Sequence, residues 1–350
     1  MNEEKYFNAV NILRCKFVDL KLSYKKINEL KNGIGSWEKI WRFLNKNKSE
    51  KILDPEKEWI KLKESKIKII LKDSQEYPKL LKEIPQPPFG IYLMGAPILE
   101  DKVSIAIVGT RKASLAGKEI AENFAKRLGE LGVVIVSGLA LGIDASAHEG
   151  ALKAGGQTIA VLGNGLSKFY PAQNEQLAKK ILNSGGTIIS EYPFEMPSLP
   201  HQFLERNRII SGLSRGVLVV EAPKISGALS TAINALNQNR EVFVVPGSIN
   251  DSNYEGSNDL IRAGAELVSK PEDILDSLNI SYQPDSLLEK NLSSEEEKIL
   301  TFLKNVGKPI SADQIIEEIE LAPSKINQLL SLLVVKNIVS EDQGKYSLRI

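Results

Sequence analysis

The sequence predicts an α/β protein: an extended, Rossmann-like, doubly wound and mostly parallel sheet, flanked by an N-terminal helical domain and a C-terminal winged helix. Three observations carry this expectation. Six apolar, β-rich runs recur along the middle of the chain: SIAIVG, VVIVSG, TIAVLG, TIISE, GVLVVEA and EVFVVPG. Helical segments separate them, and strands that are apolar throughout belong to a parallel sheet covered on both faces. Residues 293–350 read as three helices and a hairpin, which is the winged-helix pattern.

Taken in order, residues 1–65 are predicted to form a helical domain of the SAM-like or helix-hairpin-helix kind. Ala9, Val10, Leu13 and Phe17 mark one apolar face, and INELKNGIGSWEKIWRFL places a Gly33/Gly35 turn between two amphipathic halves. Such a helix–GxG–helix unit either holds a DNA phosphate on its backbone amides or is simply a turn. Residues 66–276 form the Rossmann-like domain. KIKIILK and PPFGIYLMG are short strands around a Pro-rich loop, and KEIAENFAKRLGELG, DASAHEGALKAG, NEQLAKKILNSG and ALSTAINALNQN are the crossover helices. Residues 277–292 are polar and aperiodic, hence a linker. In the winged helix, Ser294 and Ser311 are the expected N-caps, a Pro-Ser pair starts the third helix, and a hairpin turns at Asp342–Gly344.

Composition narrows the function. No apolar run reaches the roughly 18–20 residues that span a bilayer, and MNEEKYFNAV lacks a basic segment followed by an apolar one, so a cytoplasmic location without a membrane anchor is expected. One cysteine, Cys15, and two histidines leave neither an internal disulfide nor a zinc-ligand set. Residues 1–70 carry 17 basic and 10 acidic side chains, residues 71–276 carry 20 and 23, and residues 277–350 carry 8 and 11. Bulk charge therefore does not announce a nucleic-acid partner. Arginine is more telling: seven of only ten (111, 127, 206, 208, 215, 240 and 262) lie in the central part. Planar multidentate contacts or structural ion pairs both account for that choice over lysine.

Ligands of an open parallel sheet collect at the carboxyl ends of its strands. The first Gly-rich end is Gly109-Thr110-Arg111-Lys112; the second runs from Ser137 and Gly138 to Gly142, with Asp144 as the expected helix N-cap; the third, Gly163-Asn164-Gly165, leads to Lys168, Phe169 and Tyr170. None is G-x-G-x-x-G, so no dinucleotide cofactor is expected. Three such loops on one sheet edge, two with adjacent cations, suggest an anion site. Arg206 is the puzzle, because in FLERNRIISGLS a helix places it among Phe203, Ile209, Ile210 and Leu213. A buried guanidinium needs a partner. Glu191 or Glu221 could supply it internally; alternatively the helix shows Arg206 to a phosphate backbone, as Arg111 does. Neither His148 nor His201 stands in a catalytic or metal-ligand spacing, and there is no Walker loop. No catalytic residue and no metal site are therefore expected.

IVGTR, SGLALGIDASAHEGAL, VLGNGLSKFYP, SEYPFEMPSLPHQFLERNRIISGLSRGVLVVEAPKISGALSTAINAL, FVVPGSI and GSNDLIRAGAELV resemble the DNA-processing protein A family, also called DprA or Smf. The resemblance covers residues 66–276 closely, and the flanking modules match those many members carry. It implies a bacterial protein that binds single-stranded DNA without strong sequence preference, protects incoming DNA in natural transformation, loads the RecA recombinase onto it, and forms homodimers. Arg111, Arg206, Asn207 and Arg208 would bind or frame the phosphate path; Ser137, Gly138 and Gly163 would offer amides; Lys168 and Phe169 would add a cation and a stacking face. Many members have Lys directly after the Tyr-Pro pair, where this chain has Ala172. The third winged-helix segment has only Lys325 and Lys336 and a broad apolar face, which fits a protein-contact or self-contact module better than a major-groove reader.

Two other readings stay open. The fold is similar to that of the cytokinin-activating nucleoside-monophosphate phosphoribohydrolases, but Asn234 stands where their catalytic glutamate would fall. A transcription regulator led by the winged helix would bind duplex DNA selectively.

Overall fold

The computed structural model describes residues 2–16, 22–45, 53–282, 292–319, 321–336, 338–342 and 344–348. Phe17, Gln343 in the hairpin turn and residues 283–291 of the linker lie outside them. The chain forms two compact units, Met1–Ser281 and Tyr282–Ile350.

The first unit begins with four helices, α1 (Asn2–Lys16), α2 (Tyr24–Ile34), α3 (Trp37–Asn45) and α4 (Pro55–Glu64). Their apolar faces do not close on themselves. Phe7, Val10, Leu13, Trp37 and Ile40 share one core with the sheet residues Ile69, Tyr92 and Ile188. The buried Tyr92 hydroxyl is satisfied from α1: it donates to Asn8 Oδ1 at 2.8 Å and accepts from Asn11 Nδ2 at 3.3 Å. At the α2–α3 turn Gly35 takes φ +91°, a left-handed conformation that favours glycine. The Trp37 amide that opens α3 donates to Glu3 Oε2 at 2.8 Å. A phosphate at this turn would have to displace that carboxylate.

The sheet domain follows as β1 (Lys68–Leu71), α5 (Lys79–Lys82), β2 (Gly90–Gly95), β3 (Ser104–Val108), α6 (Leu115–Glu130), β4 (Val134–Ser137), α7 (Ile143–Lys153), β5 (Thr158–Leu162), α8 (Glu175–Asn183), β6 (Thr187–Ser190), α9 (Pro200–Gly212), β7 (Gly216–Val219), α10 (Gly227–Asn237), β8 (Glu241–Val244), α11 (Glu255–Arg262), β9 (Glu266–Leu267) and α12 (Pro271–Ser277). The strands form one nine-stranded sheet in the order β1-β2-β6-β5-β4-β3-β7-β8-β9. β1 and β2 pair antiparallel at one edge, and β3 to β9 are mutually parallel. All six apolar runs are therefore strands with buried residues on both faces. Ala106, Val136, Val161 and Val217 meet α9 and α10 through Ile209, Ile210, Ala232 and Ala235. Ala160, Leu162 and Ile188 meet α8 through Leu177, Ala178 and Ile181.

Strand order reverses between β3 and β7. The chain winds outward from β3 to β6, then returns to lay β7, β8 and β9 on the other side. The loops leaving β3 and β7 consequently diverge and open a crevice at the strand carboxyl ends. Among the described residues no helix is long and apolar enough to cross a membrane.

The second unit comprises α13 (Ser294–Val306), β10 (Ile310–Ser311), α14 (Ala312–Glu318), α15 (Pro323–Val335), β11 (Val339–Asp342) and β12 (Lys345–Leu348) around its own core of Ile299, Leu303, Ile315, Ile326, Leu330 and Leu333. Ser311 caps α14 as expected, with Gln314 closing the capping box. The cap of α13 is Ser293, one residue earlier than expected. Both serines have a glutamate three residues on, but Glu296, the partner of Ser293, also pairs with Lys336 at 2.6 Å, and that contact favours the earlier register. Lys325 pairs with Glu295 at 3.4 Å. Lys325 in α15 and Lys336 at its C-cap therefore both face acidic side chains of α13.

Candidate nucleic-acid interface

The crevice between the β3 and β7 loops holds a cavity of about 300 Å³. Its floor is built from buried polar groups, its rim from exposed cations. Gly109 follows β3 directly, and Thr110 N–H donates to the Glu221 carbonyl at 2.7 Å, which stitches the β3 loop to the end of β7. Arg111 and Lys112 stand exposed on this loop and make no ion pair among the described residues. The Arg111 guanidinium lies over the Phe203 ring, 5.4 Å from its centroid, and Phe203 in turn packs against Tyr170 at 5.3 Å between centroids. The cation thus covers a face of the Phe203 ring in the lining of the cavity.

Arg206 is 3% exposed, and neither expected carboxylate holds it. Glu191 is taken by Arg208 at 2.5 Å and Arg14 at 3.5 Å. Glu221 accepts from Ser114 and Asn253. Instead Arg206 Nη1 donates to two carbonyls at the ends of the central strands, Gly138 at 2.7 Å and Val161. The approach demands glycine, since a Cβ on Gly138 would collide with Arg206 Nη1. Its charge is balanced by Asp144, whose carboxylate accepts the Gly138 amide at 3.0 Å. Asp144 lies inside the first turn of α7, and Gly142 occupies the N-cap. Burial lowers the Arg206 guanidinium to about 10, with Asp144 opposing and Arg111 reinforcing the shift. Burial likewise pushes the Asp144 carboxyl above 3.8, against the pull of Arg206.

The remaining expected residues fall into distinct roles. Asn207 lines the cavity and donates to the Gly227 carbonyl at 3.1 Å and Ser230 Oγ at 3.3 Å, joining α9 to the first turn of α10. Ser137 is fully buried and donates to the Ile107 carbonyl at 2.7 Å. The Gly138 amide, expected to face a phosphate, is occupied by Asp144. Gly163 sits under Phe203, so close that a Cβ added there would lie 2.9 Å from the ring. Asn164 is buried and shapes its own loop through bonds to the Gly165 and Lys168 carbonyls at 2.8 and 2.7 Å. Lys168 is exposed, whereas Phe169 packs against the core beneath. Its expected stacking face is thus partly spent on packing, and Tyr170, 43% exposed, presents the more open ring. Arg208 faces a separate cavity with Arg14, Glu191 and Tyr24.

Sequence reasoning placed Phe203 on an apolar stripe with Ile209 and Ile210 and so missed it as a site residue. The signal was present, because Phe203 lies one helical turn before Asn207. Ser226, Gly227 and Thr231 were missed as well; they line the cavity at the start of α10. Helix starts after Gly-rich strand ends are the feature that could have found them. His148 is buried, bonded to Thr158 at 2.7 Å and held neutral by burial that lowers it to about 3. Among the described residues no three metal-ligating side chains converge.

Comparison with known proteins agrees with this architecture. The family model described as DNA recombination-mediator protein A matches residues 68–279. Protein Smf of Escherichia coli (strain K12) is 39% identical over 289 residues, which is 80% of this chain and 77% of Smf. The X-ray structure of DNA processing protein A from Streptococcus pneumoniae superposes with a TM-score of 0.61 and 34% identity, covering 79% of this chain and 93% of that one. DNA processing protein A from Helicobacter pylori, described for its single-stranded DNA binding mode, gives 0.56 and 31%, covering 62% and 97%. The family match runs from β1 past α12 and so contains every residue of the crevice; this chain belongs to the DNA recombination-mediator protein A family.

Proposed function

We propose that the chain binds single-stranded DNA at the crevice between the β3 and β7 loops, without base-specific recognition and without chemistry of its own. The observation that carries this reading is the exposed, unpaired Arg111 and Lys112 beside Phe203, above a buried Arg206. Exposed cations engage phosphates, and an aromatic face accepts any base. Gly109 and Thr110 hold the loop, Asn207 fixes the cavity wall, and Lys168 adds a cation from the neighbouring loop. Ser137, Gly138, Gly163, Asn164 and Phe169 act as support rather than contact, and Arg208 holds Glu191. Family membership and the described DNA binding of the Helicobacter pylori relative support the same reading.

The finer role follows the family: processing of incoming DNA in natural transformation, delivery of the strand to RecA, and action as a homodimer in the cytoplasm. The winged helix, with Lys325 and Lys336 both facing glutamates, serves as a protein-contact module. Titration of labelled oligo-dT against a duplex of equal length tests the core of this proposal. Single strand should bind at least about tenfold tighter, with affinity falling steeply as salt rises. Equal affinity for the duplex would overturn it. Delivery to RecA is read separately, as faster RecA coating of a strand already covered by single-strand-binding protein; no acceleration would remove that role.

A further inference from the structure

The span that carries Arg111 and Lys112 is held at both ends by one residue, Glu221, just beyond β7. The Glu221 backbone carbonyl accepts the Thr110 amide at 2.7 Å. Its carboxylate reaches the other end, where the Ser114 amide donates to Oε1 at 3.1 Å and Oε2 at 3.2 Å, and the Ser114 hydroxyl donates to Oε2 at 2.8 Å. Asn253 adds a third tie, because its Nδ2 donates both to Glu221 Oε1 and, at 3.5 Å, to the Lys112 carbonyl. Arg111, Lys112 and Ala113 are thus pinned between Thr110 and Ser114 by the carbonyl and the carboxylate of the same residue.

The carboxylate is an expensive way to hold a loop. Glu221 is fully buried, and among the described residues its partners are neutral donors and no cation. A buried charge without a counter-ion is costly. The cost is offset by position, since Ser114 is the N-cap of α6, a 16-residue helix whose dipole and first amides favour negative charge. The approach demands glycine in the first turn of that helix, because a Cβ on Gly117 would collide with Glu221 Oε2. An internal carboxylate therefore fills the helix start that, in an open parallel sheet, is a ready place for a ligand's phosphate.

We propose that Glu221 is a positioning residue for DNA binding: without touching the strand, it clasps the 110–114 span so that Arg111 and Lys112 are presented already ordered. Fixing a free loop at the moment of binding costs affinity, and a loop pinned beforehand avoids that cost. With the α6 start occupied, the phosphates fall to the side chains of Arg111 and Lys112. The inference rests on the crevice being the DNA site and adds the residue that prepares it. It also predicts a sign opposite to simple charge counting. Removing a negative charge from beside two cations should strengthen binding to a polyanion, whereas removing the clasp weakens it.

The test uses the full chain in anisotropy titrations of labelled oligo-dT over a salt series, with unfolding curves for every variant. Glu221→Gln keeps the shape but brings N–H donors to a place where Ser114 and Asn253 already donate. It should weaken oligo-dT at least about fivefold and lower the log–log salt slope by about 0.7, the value of one phosphate contact. Added to the double variant Arg111→Ala with Lys112→Ala, it should change affinity by less than about twofold, because the groups it positions are gone. A folded Glu221→Gln protein with wild-type or tighter binding would overturn the inference. So would an equal loss in the double-variant background, the mark of a general structural role. If Glu221→Gln folds poorly, Asn253→Ala decides: it removes the third tie from a partly buried position and should weaken oligo-dT at least about twofold, again only while Arg111 and Lys112 are present. Unchanged affinity there would overturn the inference. Wild-type binding by the double variant would sink the DNA-site reading and this inference with it, whereas a weakened double variant beside an unaffected, folded Glu221→Gln protein would leave the DNA site standing.

Discussion

Arg206 and Arg208 are two residues apart on α9, yet they solve different problems. Arg208 and Arg14 hold the buried carboxylate of Glu191, while Arg206 anchors two strand-end carbonyls beside Asp144. Arg206→Met leaves those carbonyls and Asp144 without their cation, so urea unfolding should report a loss of about 3–5 kcal/mol. Arg111→Ala removes an exposed cation and should stay within about 0.5 kcal/mol of wild type in the same experiment. Glu191 makes a pH prediction. Burial alone would raise its carboxyl, but Arg208 and Arg14 hold it below 4.5. A carboxyl depressed in the folded state stabilises fully above its unfolded value, and that stabilisation is lost as pH falls through the folded value. Stability should therefore drop on acidification below about pH 4.5, and Glu191→Gln should flatten that part of the curve. Asp144, raised by burial, contributes with the opposite sign, favouring the fold below 3.8 and losing that contribution as pH rises toward its folded value.

At the scale of elements, the parallel strands were legible because apolar runs such as SIAIVG and TIAVLG admit no exposed face. The three Gly-rich loops followed from the same pattern. What the sequence could not supply was which group each loop turns toward the cavity. In the loop after β4 the Gly138 amide faces Asp144, and in the loop after β5 Phe169 turns into the core while Tyr170 faces out. Those outcomes depend on packing between elements distant in sequence. The same holds for Arg206, whose partners are carbonyls at positions 138 and 161 that no helical wheel reveals. Gly138→Ala tests this packing: its Cβ would meet the guanidinium, so thermal unfolding should move down by several degrees, and oligo-dT affinity should fall with the displaced Arg206. An unchanged melting temperature would mean that Arg206 has room to move aside.

At the scale of the whole molecule, the chain is two compact units with separate cores. The four N-terminal helices were read from sequence as a domain of their own, yet their apolar residues complete the core over one sheet face, so that the Tyr92 hydroxyl bonds α1. All the crevice residues lie in the first unit, and Lys325 and Lys336 face glutamates of α13. Deleting residues 283–350 should therefore leave oligo-dT affinity within about twofold by anisotropy, whereas a loss of about tenfold would assign the winged helix a direct part in DNA binding. The central claim is that the strand binds at the crevice through Arg111. Its most direct test is anisotropy of labelled oligo-dT with wild type and Arg111→Ala across a series of salt concentrations, with unfolding curves to confirm that the variant is folded. Removal of one phosphate contact should weaken binding and lower the log–log salt slope by about 0.7. A folded Arg111→Ala protein with wild-type affinity and slope would contradict the account and place the DNA elsewhere.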